Sequence, residues 1–201
     1  TLRMNTPNKL TLARMIATPI FMAVMLIPFK FHYTVALVLF ALASITDAID
    51  GNMARKYNMV TDFGKFMDPL ADKMLTTSAY LGFMFIFSGL IGPYGWQITA
   101  ITFIVLFREF AVSSIRLVAV TAGGEVVAAN MWGKCKTVSQ MVGIVFALGV
   151  LAVSEFVELS VGVSLTLHNI IIALFWLSAV LCAISGAIYI WNGRKYIANA
   201  K

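Results

Sequence analysis

Four aspartates in the first half of the chain form two pairs at helical spacing. Asp47 and Asp50 are three residues apart. Asp68 and Asp72 are four residues apart, and both spacings place two carboxylates on one face of a helix. Carboxylate oxygens are the ligands that Mg²⁺ and Mn²⁺ prefer, and two such ions would stabilise the attacking and leaving oxygens of a phosphoryl transfer. The pattern therefore predicts a divalent-metal centre with all four aspartates as ligands.

Small and basic residues beside the first aspartate pair suit a phosphate ligand. Gly51 and Ala54 carry little side-chain bulk where a ligand must approach the helix backbone. Arg55, one turn beyond Gly51, can pair with a pyrophosphate. The alternative is that carboxylates at helix ends are merely solvated. We assign that role to Asp62, because the other four acids form one regular pattern.

The composition is that of an integral membrane protein. Of the 201 residues, 60% are hydrophobic and 12% are charged, whereas about a quarter of a soluble domain is charged. This length has room for about six spans of about 20 residues and for no separate soluble domain. The net charge of +6 does not indicate a nucleic-acid partner, because the basic residues are spread over helix ends and loops. Cys135 and Cys182 have neither metal-site nor disulfide-framework spacing.

The hydrophobic pattern predicts an all-α membrane protein with six transmembrane helices and a short interfacial helix at its N-terminus. We expect Met4 to be the natural first residue and the first apolar segment, which carries Arg14, to be retained. The chain is predicted to form one membrane domain, 1–201. The predicted segments are an interfacial helix at 4–14 and spans near 14–27, 33–55, 62–91, 96–120, 133–153 and 165–191.

This layout places the aspartate motif at one membrane interface, at the end of the second span and the start of the third. A charged side chain costs roughly 2.5–3.5 kcal/mol at the bilayer centre, so an interfacial position is favoured. With the N-terminus inside, every one of the 15 lysines and arginines except Lys30 falls on the inner side. The positive-inside rule therefore predicts a multi-pass cell-membrane protein whose two termini and motif face the cytoplasm.

The chain resembles the CDP-alcohol phosphotransferase family. The family motif is Asp-x-x-Asp-Gly-x-x-Ala-Arg, a spacer of eight residues (56–63 here), and Gly-x-x-x-Asp-x-x-x-Asp. This sequence matches it at every position, with Asp47, Asp50, Gly51, Ala54, Arg55, Gly64, Asp68 and Asp72.

The resemblance implies a role for each part of the motif. The first three aspartates would bind metal, and Asp72 would contribute to the metal site and act as the general base. The nucleotide of a CDP-linked lipid would lie over the face formed by Gly51, Ala54, Arg55 and Gly64. Mg²⁺ is the expected cofactor, with two ions bound and Mn²⁺ as the alternative. The resemblance also implies a homodimer.

Basic residues of the fourth and fifth spans are candidates for binding the phosphate of an acceptor alcohol. Arg108 and Arg116 are eight residues apart, on roughly one face of the fourth span. Lys134 and Lys136 begin the fifth span on the same side, and together the four would form a cationic pocket. The alternative is that Arg108 pairs internally with Glu109, or Arg116 with some acid, and that the two lysines only contact lipid headgroups.

Three further segments, 5–14, 108–116 and 133–140, are similar to bacterial family members that make phosphatidylglycerophosphate. This similarity implies transfer of a phosphatidyl group from CDP-diacylglycerol to sn-glycerol 3-phosphate, with membrane lipid as the surroundings. Inositol phosphate and serine remain alternative acceptors, because related members also need a pocket for their alcohol. We expect Asn8, Thr11 and Thr61 to contact the CDP-lipid, although helix capping would also explain Asn8 and Thr61.

Two other functions also combine aspartates with divalent ions. Membrane prenyltransferases keep two aspartate motifs far apart in a larger bundle, whereas the aspartates here form one unit. A divalent-cation transporter requires carboxylates near the bilayer midplane with access from both sides, whereas this motif is predicted near one interface. The sequence therefore favours an enzyme over a transporter.

Overall fold

The structure is a computed structural model, and it describes residues 6–56, 62–89, 94–121 and 131–198. Within these ranges all regular secondary structure is α-helical, and there are six helices. They are α1 (Thr6–Leu26), α2 (His32–Lys56), α3 (Asp62–Gly89), α4 (Tyr94–Thr121), α5 (Met131–Ser154) and α6 (Val161–Ala198). The prediction of an all-α protein built on six helices is confirmed.

Helix α1 joins the predicted interfacial helix and the predicted first span in one continuous element. It begins at Thr6 with Pro7 in its first turn, where the missing proline N–H costs no intrahelical hydrogen bond. It also contains Pro19. Prolines are tolerated inside membrane helices. The Thr18 hydroxyl donates to the Arg14 carbonyl at 2.9 Å, immediately before this proline.

Four helical segments of the described chain are long and apolar enough to cross a membrane. They are Asn8–Leu26, Tyr94–Ile115, Met131–Ser154 and Val161–Asn192, and His32–Asp47 is a shorter apolar segment. Large apolar side chains such as Phe103, Phe107 and Phe110 on α4 are exposed, as expected for a surface that contacts lipid. The chain is therefore a multi-pass membrane protein. The count of six spans and the orientation of the termini stay predictions.

Helix α6 is longer than a membrane span needs. Its 38 residues correspond to about 57 Å, whereas the hydrocarbon core is about 30 Å thick. The predicted span, 165–191, lies within this helix. The helix continues into the polar sequence Asn192–Lys195, where the Arg194 guanidinium lies 3.9 Å from the centre of the Trp191 ring. An aromatic ring and a cation at this position suit a membrane–water interface.

Thr1–Ile86 and Ile144–Ser164 form one compact unit, and Phe87–Gly143 and Leu165–Lys201 form a second. In the first unit α1 packs against α2, with the Phe21 and Phe40 ring centres 5.7 Å apart. Tyr80 and Phe83 of α3 are also fully buried. The predicted metal ligands belong to this unit, at the C-terminal end of α2 and the N-terminal end of α3.

Helix α2 is capped by a carboxylate from a distant part of the chain. Glu155, between α5 and α6, accepts hydrogen bonds from the backbone N–H groups of Tyr33 (2.8 Å) and Thr34 (3.0 Å) and from the Thr34 hydroxyl (2.7 Å). The first turn of α2 has no acid of its own, so Glu155 supplies the negative charge that a helix N-terminus favours. Burial raises the pKa of Glu155, but these hydrogen bonds and the nearby His32 outweigh it and lower the pKa below its usual value.

The second unit contains α4, the first half of α5 and most of α6. Its apolar core includes Ile98 and Ile101 of α4 and Phe175 of α6. Polar side chains connect α4 with α6: the Trp176 indole N–H donates to Gln97 Oε1 at 3.0 Å. The same unit contains the predicted acceptor-binding residues.

Candidate functional site

The aspartate motif is divided between the last turns of α2 and the first turns of α3. Asp47 and Asp50 lie in α2, and Asp68 and Asp72 lie in α3. Each pair is within continuous helix, so the spacing that places two carboxylates on one face applies to both. The structure describes the side chain of Asp47 and only the helix positions of the other three.

Asp47 is held by a buried arginine from α1. Arg14 forms an ion pair with Asp47, through Nη1 and Oδ1. The Arg14 side chain is 1% exposed and the Asp47 side chain is 39% exposed. A buried guanidinium requires a nearby counter-charge, because its desolvation costs several kcal/mol. Asp47 is thus held by Arg14 while its side chain stays partly exposed.

Arg14 belongs to a polar face that runs along α1. Asn8, Thr11, Arg14 and Thr18 are all buried, at spacings of three or four residues. Asn8 and Thr11, which the sequence predicts to contact the CDP-lipid, therefore share a helix face with the arginine that pairs with Asp47. Sequence reasoning left Arg14 out of the site. The helical period of the four polar residues in an apolar segment was the signal that could have found it.

The remaining predicted CDP-lipid residues lie at the two helix ends that carry the aspartates. Gly51, Ala54 and Arg55 are in the last turns of α2, and Gly64 is in the first turn of α3. Their helix positions are described, but their side-chain surroundings are not. Thr61 lies outside the described residues.

The donors of the motif fit a hard divalent cation. Carboxylate oxygens suit Mg²⁺ and Mn²⁺, and the Asp47 side chain is partly exposed. Asp50, Asp68 and Asp72 each lie about one helical turn from a second acid of the motif. Among the side chains that the structure describes, no group of three or more metal-binding residues occurs. Only Asp47 of the four is among those side chains, so the four-aspartate centre stays a prediction.

A separate cluster of charged side chains connects three helices of the second unit. Lys136 Nζ of α5 pairs with Glu109 Oε1 of α4. The same oxygen accepts a hydrogen bond from Arg108 Nη1 at 3.2 Å. Arg108 Nη2 donates to Ser185 Oγ of α6 at 2.8 Å. We call these four residues the Arg108–Lys136 cluster.

The Arg108–Lys136 cluster brings together two of the four predicted acceptor residues. The internal ion pair between Arg108 and Glu109, considered as an alternative, is present. However, Glu109 contacts two cations, so the cluster keeps an excess of one positive charge. Lys134 is exposed, and Arg116 lies in α4 with its side chain outside the described part.

Glu109 is a further residue that the sequence prediction left out of the site. It is the single acid in the sequence of α4, and only 7% of it is exposed. A lone carboxylate in an apolar helix, next to an arginine, was the available signal. Its second partner, Lys136, is 27 residues away and could not be identified from local spacing.

Comparison with known proteins agrees with these features. The family model for CDP-alcohol phosphatidyltransferase matches residues 4–191, which include both aspartate pairs and the Arg108–Lys136 cluster. The Bacillus subtilis protein named CDP-diacylglycerol–glycerol-3-phosphate 3-phosphatidyltransferase is 41% identical over 152 residues, 70% of this chain and 74% of the relative.

Two further relatives come from other bacteria. A Mycobacterium tuberculosis protein named probable phosphatidylglycerophosphate synthase is 37% identical over 169 residues, 81% of this chain and 76% of the relative. A Salmonella typhimurium protein with the same name as the Bacillus subtilis relative is 35% identical over 150 residues, 73% of this chain and 78% of the relative. Since the family model covers almost the whole chain, this protein belongs to the CDP-alcohol phosphatidyltransferase family.

Proposed function

We propose that this protein transfers the phosphatidyl group of CDP-diacylglycerol to sn-glycerol 3-phosphate, giving phosphatidylglycerophosphate and CMP. The observation that carries the proposal is the complete aspartate motif, which lies at the C-terminal end of α2 and the N-terminal end of α3. It occurs in a chain that is 41% identical to a relative named for this reaction. The membrane helices suit a donor that is itself a lipid.

The aspartates supply the chemistry. Asp72 takes the proton from a hydroxyl of glycerol 3-phosphate, and the oxygen attacks the β-phosphorus of CDP-diacylglycerol. The bond between that phosphorus and the oxygen bridging to the α-phosphorus breaks, and CMP leaves with the electron pair. The family is generally divalent-metal dependent. Mg²⁺ held by Asp47, Asp50, Asp68 and Asp72, as two ions with Mn²⁺ as the alternative, would lower the pKa of the hydroxyl and stabilise the leaving oxygen.

The buried polar face of α1 suits the nucleotide end of the donor. Asn8 and Thr11 would hydrogen-bond the cytidine diphosphate, and Arg14 would keep Asp47 in place beside it. Small residues let the diphosphate approach the helix ends, and Arg55 would pair with it. The proposed contacts at the two helix ends are Gly51, Ala54, Arg55, Thr61 and Gly64.

The Arg108–Lys136 cluster suits the phosphate of the acceptor. A guanidinium and an ammonium ion from neighbouring helices share one carboxylate, which leaves net positive charge for a phosphate monoester. Arg116 and Lys134 would add to this positive charge. We also propose that the site faces the cytoplasm of a cell-membrane protein, on the basis of the lysine and arginine distribution, and that the protein acts as a homodimer, on the basis of family resemblance.

The acceptor can be tested with purified protein in detergent. CDP-diacylglycerol and Mg²⁺ are supplied with glycerol 3-phosphate, inositol phosphate or serine, and the release of CMP is measured. We expect release with glycerol 3-phosphate and at most background release with the other two. Release with a different acceptor alone would keep the reaction class and reject the proposed acceptor.

A further inference from the structure

We propose that Glu109, Ser185 and Gly186 are positioning residues for the phosphate of the acceptor. They would fix the Arg108 guanidinium and the Lys136 ammonium group in one arrangement, without themselves contacting the acceptor. None of the three belongs to the aspartate motif. The inference rests on the proposed function, because it requires that these two cations bind phosphate.

Glu109 fixes the two cations relative to each other. Its Oε1 atom is shared by Arg108 from α4 and Lys136 from α5. Glu109 and Lys136 are each 7% exposed, so water does not weaken this contact much. A buried carboxylate between two cations stabilises both and lowers their mutual repulsion. The separation of two phosphate-binding groups is therefore set by one carboxylate.

Helix α6 fixes the Arg108 side chain at two points. Ser185 Oγ accepts from Nη2 at 2.8 Å, which holds the guanidinium. The adjacent Gly186 lies under the aliphatic part of the same side chain. A Cβ added at Gly186 would lie 2.9 Å from Arg108 Cγ and 3.8 Å from Arg108 Cβ. Because Cγ is near the α4 backbone, it can move away only if the whole side chain rotates.

One nitrogen of the Arg108 guanidinium has no hydrogen-bond partner in the described part of the chain. Arg108 Nη1 bonds Glu109 and Nη2 bonds Ser185. Arg108 Nε is buried and, among the described residues, has no hydrogen-bond acceptor. An unsatisfied buried donor costs free energy, and an anionic ligand would satisfy it. The protein contacts thus orient the guanidinium while leaving a donor for phosphate.

The first test adds a methyl group at Gly186. Gly186→Ala should displace Arg108 and raise the KM for glycerol 3-phosphate about tenfold, the size expected for losing a charge-assisted hydrogen bond. The KM for CDP-diacylglycerol should change less than about twofold. Gly149→Ala is the matched control, since it adds the same methyl group to helix α5, where no described atom beyond its own turn of helix lies within 4 Å. It should leave both KM values within about twofold of the unaltered protein.

The second test varies Glu109. Glu109→Gln keeps an oxygen that can accept from both cations, whereas Glu109→Ala removes it. We expect the KM for glycerol 3-phosphate to be lowest in the unaltered protein, higher in Glu109→Gln and highest in Glu109→Ala. Partial rescue by glutamine distinguishes positioning from a general loss of packing, which would raise both KM values together. Equal changes in the two KM values, for Gly186→Ala or for this series, would overturn the proposal.

Binding of inorganic phosphate tests the positioning role without depending on which acceptor the enzyme uses. Phosphate should raise the thermal unfolding temperature of the unaltered protein and of Gly149→Ala, because a ligand that binds the folded state stabilises it. At a phosphate concentration near the Kd of the unaltered protein, the shift should be largely lost in Gly186→Ala, because an about tenfold weaker site then binds little phosphate. This result would support the positioning role even if glycerol 3-phosphate failed to release CMP. An unchanged phosphate shift in Gly186→Ala would overturn it.

Discussion

At the scale of single residues, buried charge is the most informative feature of this protein. In the described part of the chain the buried charged residues are Arg14, Glu109 and Lys136, and each has an oppositely charged partner. Such groups are costly in an apolar chain, so they are candidates for functional positions. Arg14 joins the polar face of α1 to the aspartate motif, and Glu109 joins two cations of the proposed acceptor site.

Asp72 is predicted to be the general base. Asp72→Asn removes the proton acceptor but keeps the size of the side chain, so CMP release should fall about a hundredfold to ten-thousandfold. Binding of CDP-diacylglycerol, followed as a rise in unfolding temperature, should remain measurable. Asp62→Asn, at the start of the same helix, is the control and should retain activity. Full activity of Asp72→Asn would remove Asp72 as the base.

The ion pair of Arg14 with Asp47 should contribute to folding as well as to the site. Asp47→Asn leaves a buried guanidinium opposite a neutral amide and should lower the free energy of unfolding by about 2 kcal/mol. We expect less than for a fully buried pair, because the Asp47 side chain is 39% exposed. Thermal unfolding in detergent with a chelator present measures this without a metal contribution. In the double variant Arg14→Met, Asp47→Asn, part of the loss should be recovered; purely additive effects would contradict a direct interaction.

At the scale of helices, apolar segments and turn residues were enough to predict the elements. Helix α2, His32–Lys56, follows the predicted segment 33–55, and α4, Tyr94–Thr121, follows 96–120. The extension of α6 to Ala198 was not predicted, because hydropathy identifies the apolar part of a helix and not its polar continuation. The contacts of Glu155 with α2 join residues more than 120 positions apart, and no local pattern indicates them. Long-range partners of polar residues were therefore the part that sequence reasoning missed.

Glu155 is predicted to stabilise α2 in a pH-dependent way. Its folded-state pKa is lowered, so its contribution is fully present above the unfolded-state pKa, about 4.3 for glutamate. The contribution is lost as the pH falls through the folded-state pKa. Glu155→Gln keeps an acceptor oxygen but removes the charge, so it should lower the free energy of unfolding by about 0.5 kcal/mol at neutral pH, as for a charge at a helix N-terminus.

Unfolding measured at several pH values tests this role of Glu155. The difference between the unaltered protein and Glu155→Gln should shrink as the pH falls below about 4.3 and the carboxyl is protonated. Glu158→Gln, an exposed acid on the same connection, is the matched control and should have little effect. A difference that does not depend on pH would show that the charge of Glu155 is not what stabilises the helix.

At the scale of the whole molecule, α2 carries the aspartate motif at one end and begins at the opposite end of the same predicted membrane span. Asp50 is 17 residues beyond Tyr33 in one helix, a distance of about 26 Å along its axis. This is close to the thickness of the hydrocarbon core. Lys30 and Glu155 lie near the start of α2, and the motif lies near its end. The two ends are therefore predicted to reach opposite faces of the bilayer.

Labelling of introduced cysteines tests this orientation. In a Cys135→Ser background, which removes the exposed native thiol, Lys56→Cys marks the motif end of α2 and Glu158→Cys marks the end near Glu155. A membrane-impermeant maleimide added to intact cells should label Glu158→Cys and not Lys56→Cys, because the positive-inside rule places the motif in the cytoplasm. Inverted vesicles should give the opposite pattern. Labelling of Lys56→Cys in intact cells would place the motif within reach of the outside, and it would favour cation transport over transfer between a membrane lipid and a cytoplasmic acceptor.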